Sequence, residues 1–201
     1  MKKIFVSLFL IFSINTFGQF VRAELHFIDG TKKTGYADVN IFNHKIKFKE
    51  NRKGKKTKYN HKEVSGLFLK RNKIKKEFRY KKTLGRRAPI LLELLIEDEN
   101  ISLYAEIEEI RMYGLLGAVL KIPNVLIYKY YIVKEDSNTA IYFGDTEFTV
   151  HKRFKEITNK HLKGCEEVLI KIKNREYKVK HAQEVVRHYN KCIKASRNIK
   201  L

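Results

Sequence analysis

The chain has 201 residues, and its 43 Lys+Arg against 22 Asp+Glu give a formal net charge of +21. Such a length suits one compact domain, or a main domain with an appended subdomain. With two prolines and no Ser- or Pro-rich stretch, no stiff interdomain spacer is expected.

The N-terminus reads as a signal peptide over residues 1–18. Lys2 and Lys3 form a positive start, and 4–12 (IFVSLFLIF) is apolar apart from Ser7. Ser13, Asn15 and Thr16 then turn the segment polar. Thr16 and Gly18 place small residues three positions and one position before Gln19, the spacing that a signal peptidase reads. The apolar run is half the roughly 20 residues a spanning helix needs. No cysteine follows it, which excludes a lipoprotein anchor at this point. Cleavage after Gly18 leaves 183 residues, and an exported product, periplasmic or secreted, is expected. No later segment reads as membrane-spanning: the apolar region 112–133 is interrupted by Lys121, Pro123, Asn124 and Lys129. The mature chain is therefore not expected to be an integral membrane protein.

Residues 19–149 read as a β-rich domain. Val21, Ala23, Leu25 and Phe27 alternate with polar residues in a half-buried strand ending at an Asp29-Gly30 turn. A second strand is expected over 35–39. Ile46 and Phe48 alternate with Lys45, Lys47 and Lys49 in a third, after which 51–56 (NRKGKK) turns the chain. Tyr59, Val64, Leu67 and Leu69 return to the core, and Phe78 and Tyr80 sit in another short strand. Ile90, Leu92, Leu94 and Ile96 make one face of a strand, with Leu91 and Leu95 on the other. Ile101, Leu103, Ala105 and Ile107 continue the pattern. Two strands, 125–133 and 139–143, form a hairpin turning at Asp136, Ser137 and Asn138. Gly114 and Gly117 mark a loop before it.

Residues 150–201 read as a helical subdomain. Val150, Phe154 and Ile157 give a first apolar stripe. Cys165, Val168, Leu169 and Ile172 follow the i, i+3, i+4, i+7 spacing of one helical face. A further helix carries Val179, Ala182, Val185, Val186, Tyr189, Cys192 and Ile193 on its stripe. Each cysteine lies on the apolar side of its own helix, one near a start and one near an end. In an antiparallel helix pair those ends meet, so a Cys165–Cys192 disulfide is expected.

Charge is uneven along the chain. Residues 19–85 hold 20 basic against 6 acidic side chains, 86–149 hold 6 against 11, and 150–201 hold 15 against 5. The densest run contains Lys45, Lys47, Lys49, Arg52, Lys53, Lys55, Lys56 and Lys58, a candidate anion-binding surface. With Phe48 and Tyr59 beside it, the run has the look of a nucleic-acid-binding surface. Export disfavours nucleic acid as the partner and favours anionic lipid or envelope glycan. A Lys-, Ile- and Asn-rich composition is also what an AT-rich genome yields.

No G-x-S-x-G, P-loop, G-x-G-x-x-G or H-E-x-x-H motif is present. The seven histidines (26, 44, 61, 151, 161, 181 and 188) are scattered. Glu97, Asp98 and Glu99 read as a hairpin turn, and Glu106, Glu108 and Glu109 as the start of a loop after a strand. No catalytic residue, metal ligand or cofactor site is assigned.

The elements Phe154-Lys155, 161–168 (HLKGCEEV), 172–177 (IKNREY) and 185–192 (VVRHYNKC) resemble the C-terminal region of uncharacterised secreted proteins of Gram-negative bacteria. Those proteins pair a β-rich front with a Cys-bracketed helical end. Asp29-Gly30, Gly35-Tyr36, Lys58-Tyr59 and Glu63-Val64 fit the same group. The resemblance implies export and the disulfide, and carries no activity.

The expectation is an α+β protein: an antiparallel β-rich body, a small barrel or rolled sheet, followed by a disulfide-tied helical segment. The expected role is non-catalytic binding to anionic lipid or glycan through a basic face. Alternatives are a secreted hydrolase with a dispersed active site and a structural subunit of an envelope assembly with a protein partner.

Overall fold

A computed structural model describes residues 20–40, 43–71, 73–110, 125–135 and 137–198. The expected signal peptide, the loop carrying Gly114 and Gly117, and Asp136 of the expected hairpin turn lie outside the described residues.

The first half of the chain alternates apolar and polar residues, and each alternating run becomes a strand. These are β1 (Val21–Phe27), β2 (Lys32–Asn40), β3 (Lys45–Lys49), β4 (Thr57–Tyr59) and β5 (Val64–Arg71). Strand β6 (Ile74–Thr83) is ten residues long, where the sequence suggested only a short strand around Phe78 and Tyr80. Four more strands follow: β7 (Ile90–Ile96), β8 (Ile101–Ile110), β9 (Val125–Lys134) and β10 (Thr139–Asp145). They lie side by side in the order β10-β9-β8-β7-β6-β5-β1-β2-β3-β4.

The length of β6 has a structural reason. Its first six residues, Ile74 to Arg79, pair antiparallel with β5. Its last two, Lys82 and Thr83, pair in parallel with Thr139 and Ala140 of β10. Strands β6 to β10 thereby close on themselves, and β1 to β5 extend from the other part of the same β6. Closure requires sharp curvature, and register shifts supply it between Leu94 and Ile96 and between Tyr142 and Gly144. Gly144 has φ of 142°, a conformation closed to ordinary side chains.

Three apolar clusters result. Inside the closed part lie Ile90, Leu92, Tyr104, Tyr131, Val133 and Ala140. Leu25, Ala37, Ile46, Phe48, Leu67, Phe78 and Leu91 fill the inner face of the first half. The third cluster joins the outer face of β8–β10 to the helices α1 (His151–His161), α2 (Glu166–Lys173) and α3 (Ala182–Asn198). There Phe154 meets Phe143 edge to face at 5.3 Å. Val168 and Ile172 of α2 and Ala182, Val185, Val186 and Tyr189 of α3 are buried, at about 1.5–3 kcal/mol for each large aliphatic or aromatic side chain. The buried Asn190 amide donates to the Ile101 carbonyl at 2.9 Å, keying α3 to β8.

The disulfide joins Cys165 to Cys192 with the Cα atoms 6.0 Å apart. Cys165 stands just before α2, at the N-cap position rather than within the helix, and the first turn holds Glu166 and Glu167, where the helix dipole favours negative charge. Val179 sits in a short 3-10 turn, Val179–His181, that leads into α3 rather than in α3 itself. The architecture is thus an α+β fold with a β-rich body and a disulfide-tied helical end. Among the described residues, no helix is long and apolar enough to cross a membrane.

Candidate binding surface and a buried charge cluster

Cross-strand partners share a face of a sheet, so register shows which charges meet. Lys45, Lys47 and Lys49 lie on β3, Arg52, Lys53, Lys55 and Lys56 on the turn after it, and Lys58 on β4 opposite Lys47. Lys47 is held by Asp38 at 3.0 Å. The Lys49 ammonium lies 4.6 Å from the Phe20 ring centre and the Arg52 guanidinium 5.5 Å from that of Tyr36. Lys45, Lys53, Lys55, Lys56 and Lys58 are exposed and, among the described residues, make no ion pair. Strand β4 is the last of the sheet, and lysines there also deter pairing with another chain.

The folded sheet brings in cations that the linear run did not include. Arg22 stands opposite Tyr36 on one side and Lys70 on the other, Glu24 opposite Phe68, and Lys70 opposite Lys75. These side chains border a groove of about 620 Å³ on the outer face of β1, β2 and β5. The two carboxylates on its border are already engaged. Glu24 is bonded to His26 at 2.7 Å and Lys32 at 3.3 Å, and Glu50 to Lys33 at 2.8 Å. Hydrogen bonds from His26 and Lys32 lower the Glu24 pKa, and the bond from Lys33 lowers that of Glu50. The Tyr36 hydroxyl accepts from Arg22 and Arg52, which lowers its pKa. Arg22, Lys70 and Lys75 make no ion pair among the described residues. The groove therefore presents net positive charge flanked by the rings of Tyr36 and Phe68.

A second polar assembly lies at one end of the closed part. Glu106, expected in a loop, sits within β8, as do Glu108 and Glu109, because β8 runs on to Ile110. Glu106 faces inward and is buried. Its carboxylate accepts from the Tyr131 hydroxyl at 2.8 Å and pairs with Arg86 at 3.0 Å. The imidazole Nε2 of His44 lies 3.4 Å away. Burial pushes the Glu106 carboxyl up, but the bonds from His44 and Tyr131 and the charge of Arg86 outweigh it and bring its pKa down to about 2. The same burial and the neighbouring carboxylate raise the Tyr131 phenol. Glu108 takes the neighbouring Lys129 at 2.5 Å.

Glu97 and Asp98, with Glu99 and Asn100, do form the turn between β7 and β8. Asp98 and Glu99 hold Lys194 of α3, at 2.8 and 3.7 Å. His181 and His188 both flank the ring of Tyr177, whose hydroxyl lies 3.2 Å from His188 Nδ1. Among the described residues, no group of three His, Cys, Asp or Glu side chains is placed to hold a metal ion.

Strand alternation indicated Lys45, Lys47 and Lys49. Nothing local in the sequence linked Arg22, Lys70 and Lys75 to Tyr36 and Phe68, or His44 and Arg86 to Glu106. Those partners are separated by up to 62 residues of chain and meet only through strand register. No protein-family model, no curated protein and no solved structure matches the chain.

Proposed function

We propose that this is an exported protein that binds an anionic glycan chain along the groove on the outer face of β1, β2 and β5. One observation carries the reading. Arg22, Lys70 and Lys75, brought together from three strands, border a groove between two aromatic rings, while the acidic residues beside it are already paired. Cations take the acidic groups of such a chain, and ring faces take its less polar surfaces. A groove suits a linear polymer better than the plane of a bilayer. The disulfide is compatible with export, since such bonds persist in oxidising compartments.

The test is retention of the oxidised protein, residues 19–201, on an acidic polysaccharide, a neutral one, and anionic lipid vesicles, across a salt series. Retention by the acidic polysaccharide alone, lost as salt rises, supports the reading. Replacing Arg22, Lys70 and Lys75 together by Gln should weaken it about tenfold or more, because each cation released from the contact lowers both affinity and its salt dependence. Equal retention by the neutral polymer, or binding to vesicles only, would sink the glycan assignment.

A specific observation favours a second reading, that of a subunit in an envelope assembly. Leu126, Tyr128, Phe148 and Val150 are all exposed, and the backbones of Tyr128 and Thr146 are hydrogen-bonded, so they lie near one another. A monomer at high concentration in sedimentation, with no partner on cross-linking in envelope extracts, would count against it.

A further inference from the structure

Three turns of the β-rich body converge on a cavity of about 500 Å³: 43–45 between β2 and β3, 60–62 between β4 and β5, and 86–90 between β6 and β7. Its charged lining, Lys45, Lys62 and Arg86, is wholly basic, and the imidazoles of His44 and His61 stand beside it. No residue lines both this cavity and the groove described above.

Two of these side chains are oriented from behind. Buried Glu106 pairs with Arg86 at 3.0 Å and contacts His44 Nε2 at 3.4 Å, and is itself fixed by Tyr131. His44 Nε2 faces both that carboxylate and the Arg86 guanidinium, 3.2 Å away, so Nδ1 is the ring atom left over. Nδ1 is shielded from solvent and has no hydrogen-bond partner among the described residues. Groups shut away like this are normally satisfied, so a missing partner is informative. The backbone of His44 adds to the case. It is held at φ of 53°, a left-handed conformation that glycine or asparagine adopts at less cost, and its carbonyl accepts from the Tyr80 hydroxyl.

We infer that this cavity is a second site, which binds the phosphate or sulfate monoester group of a small molecule. The oxyanion would be held by Arg86, Lys45 and Lys62 and by the imidazoles of His44 and His61, with Glu106 as a positioning residue. A tetrahedral anion suits the set because several donors can share its oxygens, and Arg86 offers a planar fork to two of them. The cavity is larger than a bare oxyanion, leaving room for the attached sugar-sized group.

The experiment is a titration of the intact, oxidised, 15N-histidine-labelled protein at constant ionic strength, followed by NMR of the ring nitrogens. The probes are inorganic phosphate, inorganic sulfate, glucose 6-phosphate and glucose. Saturable shifts of the His44 and His61 signals are expected with the anions, strongest with the sugar phosphate and absent with glucose. Sulfate and phosphate titrated side by side tell which monoester is preferred. Arg86→Gln should weaken the sugar phosphate at least tenfold. Lys62→Gln alters an exposed side chain and leaves the fold intact, and it should weaken binding several-fold even if Arg86→Gln fails to fold. Shifts that do not saturate, or that sodium chloride reproduces, would overturn the inference. So would an affinity unchanged in Lys62→Gln.

Discussion

Glu106→Gln isolates what the buried carboxylate contributes. In the folded chain its pKa falls from an ordinary 4.5 to about 2. A drop of that size corresponds to about 3 kcal/mol of stability at neutral pH, at roughly 1.4 kcal/mol per unit. Because the folded value is the lower one, the contribution is fully present above pH 4.5 and is lost as pH falls towards 2. Glutamine keeps the shape and can still accept from Tyr131, but it gives Arg86 no charge and His44 a weaker partner. Urea unfolding followed by circular dichroism should show the variant about 2–3 kcal/mol less stable at pH 7. The gap should close to under about 1 kcal/mol at pH 2. A gap of the same size at both pH values would refute the electrostatic reasoning and make the loss one of packing alone.

Two further outcomes follow from geometry. Replacing both Cys165 and Cys192 by Ser opens a loop spanning 27 residues. It should cost about 3–4 kcal/mol on loop-entropy grounds, read as a lower urea midpoint that reducing agent lowers no further. At Gly144, φ of 142° combines with a Cβ position 3.1 Å from a methyl of Val179. Gly144→Ala should therefore destabilise by more than about 1 kcal/mol in thermal unfolding, while an alanine at half-buried Gly54, whose φ is not positive, should cost less.

How much of this was legible in the sequence depends on whether the signal was local. The alternation of Val21, Ala23, Leu25 and Phe27 gave β1 directly, since period two is set by the pleat. Ile46 and Phe48 placed Lys45, Lys47 and Lys49 on the opposite face for the same reason. The helical spacing around Cys165 and Cys192 was enough to bring the two sulfurs together. Glu106 was misread because three glutamates within four residues look like a solvated loop. In β8 the inward position is tolerable only because Tyr131 arrives from β9 and Arg86 and His44 from two turns distant in the chain. The parallel contact of Lys82 and Thr83 with β10 involves two residue pairs and leaves no periodic trace. The groove is hidden for a similar reason: Arg22 and Lys70 are 48 positions apart, and only the β1–β5 register sets them opposite each other.

The double use of β6 bears on how the chain can be divided. A cut between residues 83 and 90 falls at an exposed turn and looks like a natural place to separate a basic module from an apolar one. The front piece would keep β6 stripped of β7 along one edge and of its contact with β10 on the other. The rear piece would keep four strands of a ring that needs five, and Glu106 without the histidine beside it. Both fragments would expose unpaired backbone and apolar surface, so the two halves should melt as one cooperative unit, and separately expressed they should aggregate until mixed.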